Sequence, residues 1–429
     1  MPSFSATTAS SWGAVVRVEI PENSRDGAVV RLDAAGAARV RQSGLVDAWP
    51  DRDGWRVLPR TNMVGAVRIG DVDLVVTPKA SFSSVLFMVG YSRDWGAVGS
   101  EFSGSESEDL WPAVAETLAR LAGAALKHGV LQGYVTRDDA LAVVRGRIRS
   151  ADQIARRPGL AVPLEVTYDE FEVDIPENQI LRTALQRMST APRLPDDLRH
   201  RLVHLYGRIE GATVITPGDR VPAWRKSRIN ARYHRALRLA EFVLARMGLG
   251  TQRGSEPVAS FVINMATVFE QFVSEALGAA LRSLSRGETV AQYDAWLDMR
   301  RRVRMRPDVV HLVGGRPRIV MDAKYKLGYT DGGYPTADAY QLLAYCTSLS
   351  LDQGWLVYAG SKAEGAVPVT HRVANTGIDI VQWPLDLSAA PGEILGQIDD
   401  LALCAYRRLD ALDAAARLGT RGSAAKGTE

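Results

Sequence analysis

Residues 306–324 constrain this chain more than any other stretch. Arg306-Pro307-Asp308 leads into Val309-Val310, a Gly314-Gly315 pair follows, and Ile319-Val320-Met321 leads into Asp322-Ala323-Lys324. Two apolar runs about a glycine pair predict a hairpin, because glycine enters left-handed turn conformations without steric cost. A hairpin brings Asp308 and Asp322, with thirteen residues between them, to its open end. Strand side chains alternate, so Asp322 and Lys324 share a face. Carboxylates gathered this way suit Mg²⁺, which takes hard oxygen ligands. An ammonium beside them can stabilise charge on a phosphate or orient an attacking water. The triplet alone decides nothing in a chain with 49 acidic residues, and a surface hairpin with solvated charges would read the same. The apolar approach to each aspartate adds weight, as does the acid-bearing helix text Val268-Phe269-Glu270-Gln271-Phe272-Val273 upstream. Glu275 on the same helix competes with Glu270.

Around this hairpin the sequence predicts an α+β multidomain protein. Residues 1–100 form an N-terminal β-rich module, with short strands over 12–40 and a hairpin turning at Gly70-Asp71; 82–91 are more helix-like. Residues 101–250 form a mixed, mainly helical middle region, opening on an exposed acidic loop at 100–109. There, strands at Leu131–Thr136 and Leu141–Gly146 flank Arg137-Asp138-Asp139, and 176–246 are mostly helical. After a linker-like break at 250–257, residues 251–410 form an α/β domain: a helix at 258–285, strands near 302–313 and 317–323, a helix at 337–350 and a strand at Trp355–Tyr358. Residues 411–429 read as a disordered tail.

Composition removes several function classes. Lys and Arg number 52 against 49 Asp and Glu, too balanced to argue nucleic-acid binding from bulk charge. Cys346 and Cys404 are the only cysteines, which excludes a disulfide scaffold and a four-cysteine zinc site. The six histidines have no metal spacing. No lysine follows a glycine, so there is no Walker A loop and no nucleotide site is expected. The first residues carry no signal-peptide pattern and no long apolar window occurs, so a cytoplasmic protein without a membrane span is expected.

Pro307-Asp308, Asp322-Ala323-Lys324 and Gln341-Leu342-Leu343-Ala344-Tyr345 resemble the PD-(D/E)xK nuclease core. More narrowly, the chain resembles McrC, the nuclease subunit of McrBC-type modification-dependent restriction systems. That resemblance also rests on Val64–Arg68 through Leu74–Lys79, Gly129–Tyr134, Arg145–Ile148, Tyr168–Phe171, Asp174–Leu181 and Asn230–Tyr233. It implies a C-terminal PD-(D/E)xK (restriction-endonuclease-like) domain that hydrolyses DNA with Mg²⁺. Asp308 and Asp322 would be the primary metal ligands, helped by Glu270 and the Ala323 carbonyl. Lys324 would sit by the nucleophile, and Gln341 and Tyr345 would orient the site. It also implies an McrB-like AAA+ GTPase partner, bound through the N-terminal module of residues 1–100 and stimulated by this chain, and modified DNA as substrate. Arg302, Arg304 and Arg306, alternating before Asp308, would share a strand face and attract the DNA backbone; a charge-guarded edge strand is the plainer reading. Two other functions stay open: an NTPase-activating interaction subunit with a vestigial nuclease, and a stand-alone repair nuclease. Asp174 and Asn178, which flank Pro176, read as turn or helix-cap residues rather than catalytic ones.

Overall fold

The structure, a computed structural model, describes residues 15–92, 110–250, 258–284, 287–326, 336–360 and 367–424. The acidic loop expected at 100–109 and the break at 251–257 lie outside them. The chain forms two compact units. One joins the chain up to Leu110 with everything from Thr251 on; the other is Trp111–Gly250.

In the first unit, Met63–Ile69 and Val72–Thr77 form the expected hairpin, turning at Gly70-Asp71 with Gly70 at φ 54°. Val16–Pro21 adds in parallel to Val72–Thr77. The far side of Met63–Ile69 is taken by Val258–Asn264, paired antiparallel from Val258↔Ile69 to Asn264↔Met63. The helix expected from 258 therefore begins at Met265 and runs to Leu284. The β-branched run before it pairs instead with a strand nearly two hundred positions upstream, which local pattern cannot reveal. Gly65 makes the close approach possible: at φ 144°, a Cβ there would lie 2.0 Å from the Phe261 carbonyl oxygen. A second small sheet orders Ala28–Val30, Gly54–Pro59 and Val46–Asp51. The region read as strands over 12–40 also contains a helix, Ala34–Gln42, whose N-cap Asp33 accepts the Gly36 N–H at 2.6 Å.

The later part of this unit is a six-stranded sheet in the spatial order 288–291, 309–313, 316–324, 353–360, 379–386 and 369–372. Its three central strands, Arg316–Lys324, Gln353–Gly360 and Asp379–Asp386, are parallel. Helix Thr336–Leu349 packs on one face, where Val310, Val320, Leu342, Tyr345, Leu356 and Ile380 share a core. Helix Met265–Leu284 packs on strands 309–313 and 316–324 with Phe269 and Phe272 fully buried. The final helix, Pro391–Ala424, includes residues 411–424, expected from the sequence to belong to a disordered tail.

The second unit holds helices Leu110–Leu126, Pro176–Ser189, Asp196–Arg208 and His234–Arg246, and a sheet in which Leu164–Glu172 lies between Gly133–Leu141 and Arg147–Ile148. The two strands expected around Arg137-Asp138-Asp139 are one strand, Gly133–Leu141, running straight through the charges. Most of that strand's side chains are solvated, so charge is no obstacle to extension there. Arg137 pairs with Glu172 at 2.8 Å across it.

Candidate active site

The hairpin forms as its residues require. Gly314 and Gly315 sit at φ 59° and 74°, and the register Val309↔Met321 brings Asp308 beside Asp322 at the open end. Both are buried, 6% and 2% exposed. Asp308 Oδ2 accepts the Ala323 N–H at 2.8 Å, so one aspartate is bound directly to the strand that carries the other.

Lys324, on the same strand face as Asp322, holds Nζ 2.5 Å from Asp322 Oδ2. The contact is close but bent, so that buried oxygen has no aligned hydrogen-bond donor. Burial raises Asp308 and Asp322 above the ordinary carboxylate range; the Glu270 charge adds to this at Asp308, and the Asp308 charge at Asp322. Burial works to lower Lys324, but Asp322 and Asp308 together outweigh it and hold the amine above an ordinary lysine.

Glu270 projects from helix Met265–Leu284. The Gln292 amide joins it to the pair, donating to Glu270 Oε1 at 2.5 Å and to Asp308 Oδ1 at 2.8 Å. Gln292 sits at φ 51°, left-handed for a non-glycine residue, between Ala291 and Tyr293. No sequence signal marked it. Glu275, the competing acid, lines an open cleft with Glu270, Gln292 and Arg306. From helix Thr336–Leu349, Gln341 Nε2 donates to Tyr345 Oη at 2.6 Å. Burial, then the Asp322 charge, raises Tyr345, which puts its hydroxyl in the field of the pair.

Asp308, Asp322 and Lys324 thus converge, Glu270 stands one amide away, and Gln341 and Tyr345 pair with each other beside them. The arginines do not share a strand face. The expected strand near 302–313 is broken at Pro307, leaving only Arg304–Met305 and Val309–Val313 extended. The Arg302 N–H is held in a turn by Asp298, and Arg304 grips Asp294 at 2.6 Å. All three arginines remain exposed.

Among the described residues, no three His, Cys, Asp or Glu side chains are gathered tightly enough to hold a metal ion. A divalent ion that keeps its waters needs only one or two carboxylates. Two adjacent, mutually repelling carboxylates with an unaligned buried oxygen fit such an ion, with Asp308 and Asp322 as the donors and Glu270 outside them.

The model of the family described as McrBC 5-methylcytosine restriction system component matches residues 58–359. The chain belongs to this family. The resemblance to McrC read from the sequence therefore stands, and the matched residues include every member of the candidate site. No curated protein matches the chain. Among solved structures, the chain is similar to a chain in the refined half-complex from the tetradecameric assembly of Thermococcus gammatolerans McrB AAA+ hexamers with bound McrC. The identity is 16%, 90% of this chain and 100% of that chain are covered, and the TM-score is 0.57. At that identity the likeness is one of fold. A chain of the cryo-EM structure of the Thermococcus gammatolerans McrBC complex matches at 17% identity, covering 62% of this chain and 76% of that one, with a TM-score of 0.39. The family signatures outside the candidate site have structural work in the second unit. Buried Asn178 donates to the Leu131 and Val173 carbonyls at 2.7 Å each, and buried Asn230 donates to Glu177 Oε1 at 2.8 Å. No helix among the described residues is long and apolar enough to cross a membrane.

Proposed function

We propose that this family member is the nuclease subunit of its restriction system, with a PD-(D/E)xK site that hydrolyses DNA phosphodiesters. The observation that carries the reading is the buried Asp308–Asp322 pair at the hairpin's open end, with the Lys324 ammonium on Asp322. Asp308 and Asp322 would hold Mg²⁺, with the Ala323 carbonyl as a further donor and Glu270 nearby. A bound Mg²⁺ would polarise the phosphoryl group and acidify a water.

The chain's own residues do the rest. Lys324 offers a fixed positive charge to the negative charge that builds on the phosphoryl oxygens, in a site dry enough for that charge to count. Gln292 keeps Glu270 and Asp308 from turning away. The Gln341–Tyr345 pair screens the aspartates on the helix side. Arg302, Arg304 and Arg306, exposed and close in sequence to Asp308, suit backbone contacts that carry no sequence information.

The similar fold comes from an assembly of McrB AAA+ hexamers with bound McrC, so an McrB-like AAA+ GTPase is the proposed partner, supplying the nucleotide site this sequence lacks and stimulated by this chain. Modified DNA, a 5-methylcytosine duplex first, is the proposed substrate. Asp322→Ala and Lys324→Ala, assayed with partner, GTP and Mg²⁺, should each abolish cutting while partner GTPase stimulation persists. Cutting at the unsubstituted rate by either variant would overturn the reading.

A further inference from the structure

One buried hydrogen bond joins the candidate site to the N-terminal sheet. Tyr325 follows Lys324 directly and is 7% exposed, and its Oη donates to Glu22 Oε1 at 2.7 Å across 303 residues of sequence. Glu22 is itself buried, just past strand Val16–Pro21. Its N–H extends the ladder to the Thr77 carbonyl at 2.9 Å, and its Oε1 also accepts the Lys79 N–H at 2.7 Å. The ends of two parallel strands therefore converge on one carboxylate and, through it, on the Tyr325 hydroxyl. The second Glu22 oxygen is buried with no hydrogen-bond partner, so the carboxylate has little to fall back on if the hydroxyl is removed.

The Tyr325 ring stands with its centroid 5.9 Å from that of Phe269, the residue before Glu270. A cavity of about 40 Å³, lined by Asn23, Lys79, Tyr325, Gly360 and Leu387 among others, opens beside the ring. The ring is therefore held on one side by Phe269 and at its tip by the hydrogen bond to Glu22, with a small void beside it.

We propose that Tyr325 and Glu22 are positioning residues for the candidate site. Their hydrogen bond ties the end of strand Arg316–Lys324 to the N-terminal sheet, whose strand Val258–Asn264 runs directly into the helix bearing Glu270, and so sets the spacing of Lys324 and Asp322 against Glu270. The inference rests on the nuclease reading above. A shift of the strand ends at Glu22 and Lys79 reaches the backbone of Lys324 directly through Tyr325, beside the path through helix Met265–Leu284.

The test uses the full chain and two readouts: Mg²⁺ affinity of the metal-free protein by calorimetry, and DNA cutting with partner and GTP. Tyr325→Phe keeps the ring against Phe269 and removes the donor. It should weaken Mg²⁺ binding by about tenfold and lower kcat with the KM for DNA unchanged, the scale seen when groups supporting metal ligands are lost. Glu22→Gln keeps an acceptor and should stay near wild type. Glu22→Leu should match Tyr325→Phe, and the double variant Tyr325→Phe/Glu22→Leu should be no worse than either single change. If Tyr325→Phe does not fold, Glu22→Leu carries the same measurement. Asp322→Ala, run alongside, separates the two readings. If it binds Mg²⁺ and cuts normally, the nuclease reading fails. If it loses both while Tyr325→Phe and Glu22→Leu retain wild-type Mg²⁺ affinity and kcat, only the positioning role is overturned.

Discussion

Metal-free protein should weaken as pH rises from about 4 to about 7, and Mg²⁺ should reverse this only at the upper end. Burial, with the Glu270 charge, lifts Asp308 from 3.8 to about 6, and burial, with the Asp308 charge, lifts Asp322 from 3.8 to about 7. Because the folded values exceed the unfolded ones, the stability from the protonated carboxyls is complete below about pH 4 and is lost as pH climbs through about 6–7. At about 1.36 kcal/mol per pKa unit, Asp308 alone accounts for roughly 3 kcal/mol. Asp322 alone accounts for roughly 4 kcal/mol. Their titrations are coupled, so the pair is worth less than the sum, on the order of 4–7 kcal/mol.

The assay is thermal unfolding and amide exchange at the 309–324 hairpin, between pH 5 and pH 8, with and without Mg²⁺. Mg²⁺ should raise Tm by several degrees at pH 8 and scarcely at pH 5, where protons already occupy the pair. Asp322→Asn removes the Asp322 titration and leaves that of Asp308, so the pH slope should fall by about half and the Mg²⁺ effect should disappear. An equal Mg²⁺ effect at both pH values, or an unchanged slope in Asp322→Asn, would refute the account of these carboxylates as a strained ion site.

Two further outcomes follow from single side chains. Gln292→Leu removes the one amide that bridges Glu270 and Asp308; Mg²⁺ affinity should drop roughly 10- to 100-fold with DNA binding intact, measured by metal titration and filter binding. Gly354→Ala puts a Cβ 2.7 Å from Cys346 Sγ and 2.9 Å from two Leu342 side-chain carbons; it should cost about 1–3 kcal/mol in denaturant unfolding and lower cutting by moving the helix that carries Gln341 and Tyr345.

The hairpin was legible because everything that defines it is local: two apolar runs, two adjacent glycines and a strand period that fixes which side chains face together. Tyr345 was visible through helical spacing, though not how it is used; it is buried and its hydroxyl takes the Gln341 amide. What the sequence hid is long-range. Nothing near Gln292 announces that its amide spans two carboxylates from separate elements, since its role depends on where Glu270 and Asp308 arrive. Tyr325 looks like any aromatic at a strand end until Glu22 meets it. The arginine run misled for a related reason: alternation implies a strand only where the backbone continues, and Pro307 and the Asp298 turn interrupt it. The Arg137-Asp138-Asp139 triplet misled in the opposite direction, because charges suggest a turn only when a strand must bury them.

The pairing of Val258–Asn264 with Met63–Ile69 has a consequence during translation. The open side of Met63–Ile69 waits for about 190 further residues, including the whole 111–250 unit, before its neighbour leaves the ribosome. Until then the nascent chain carries an unfilled sheet edge, of the kind that other chains can join. A polypeptide halted before Val258 lacks both the strand that covers this edge and Asp308, Asp322 and Lys324, so the first sheet is completed only by the segment that leads into the candidate site.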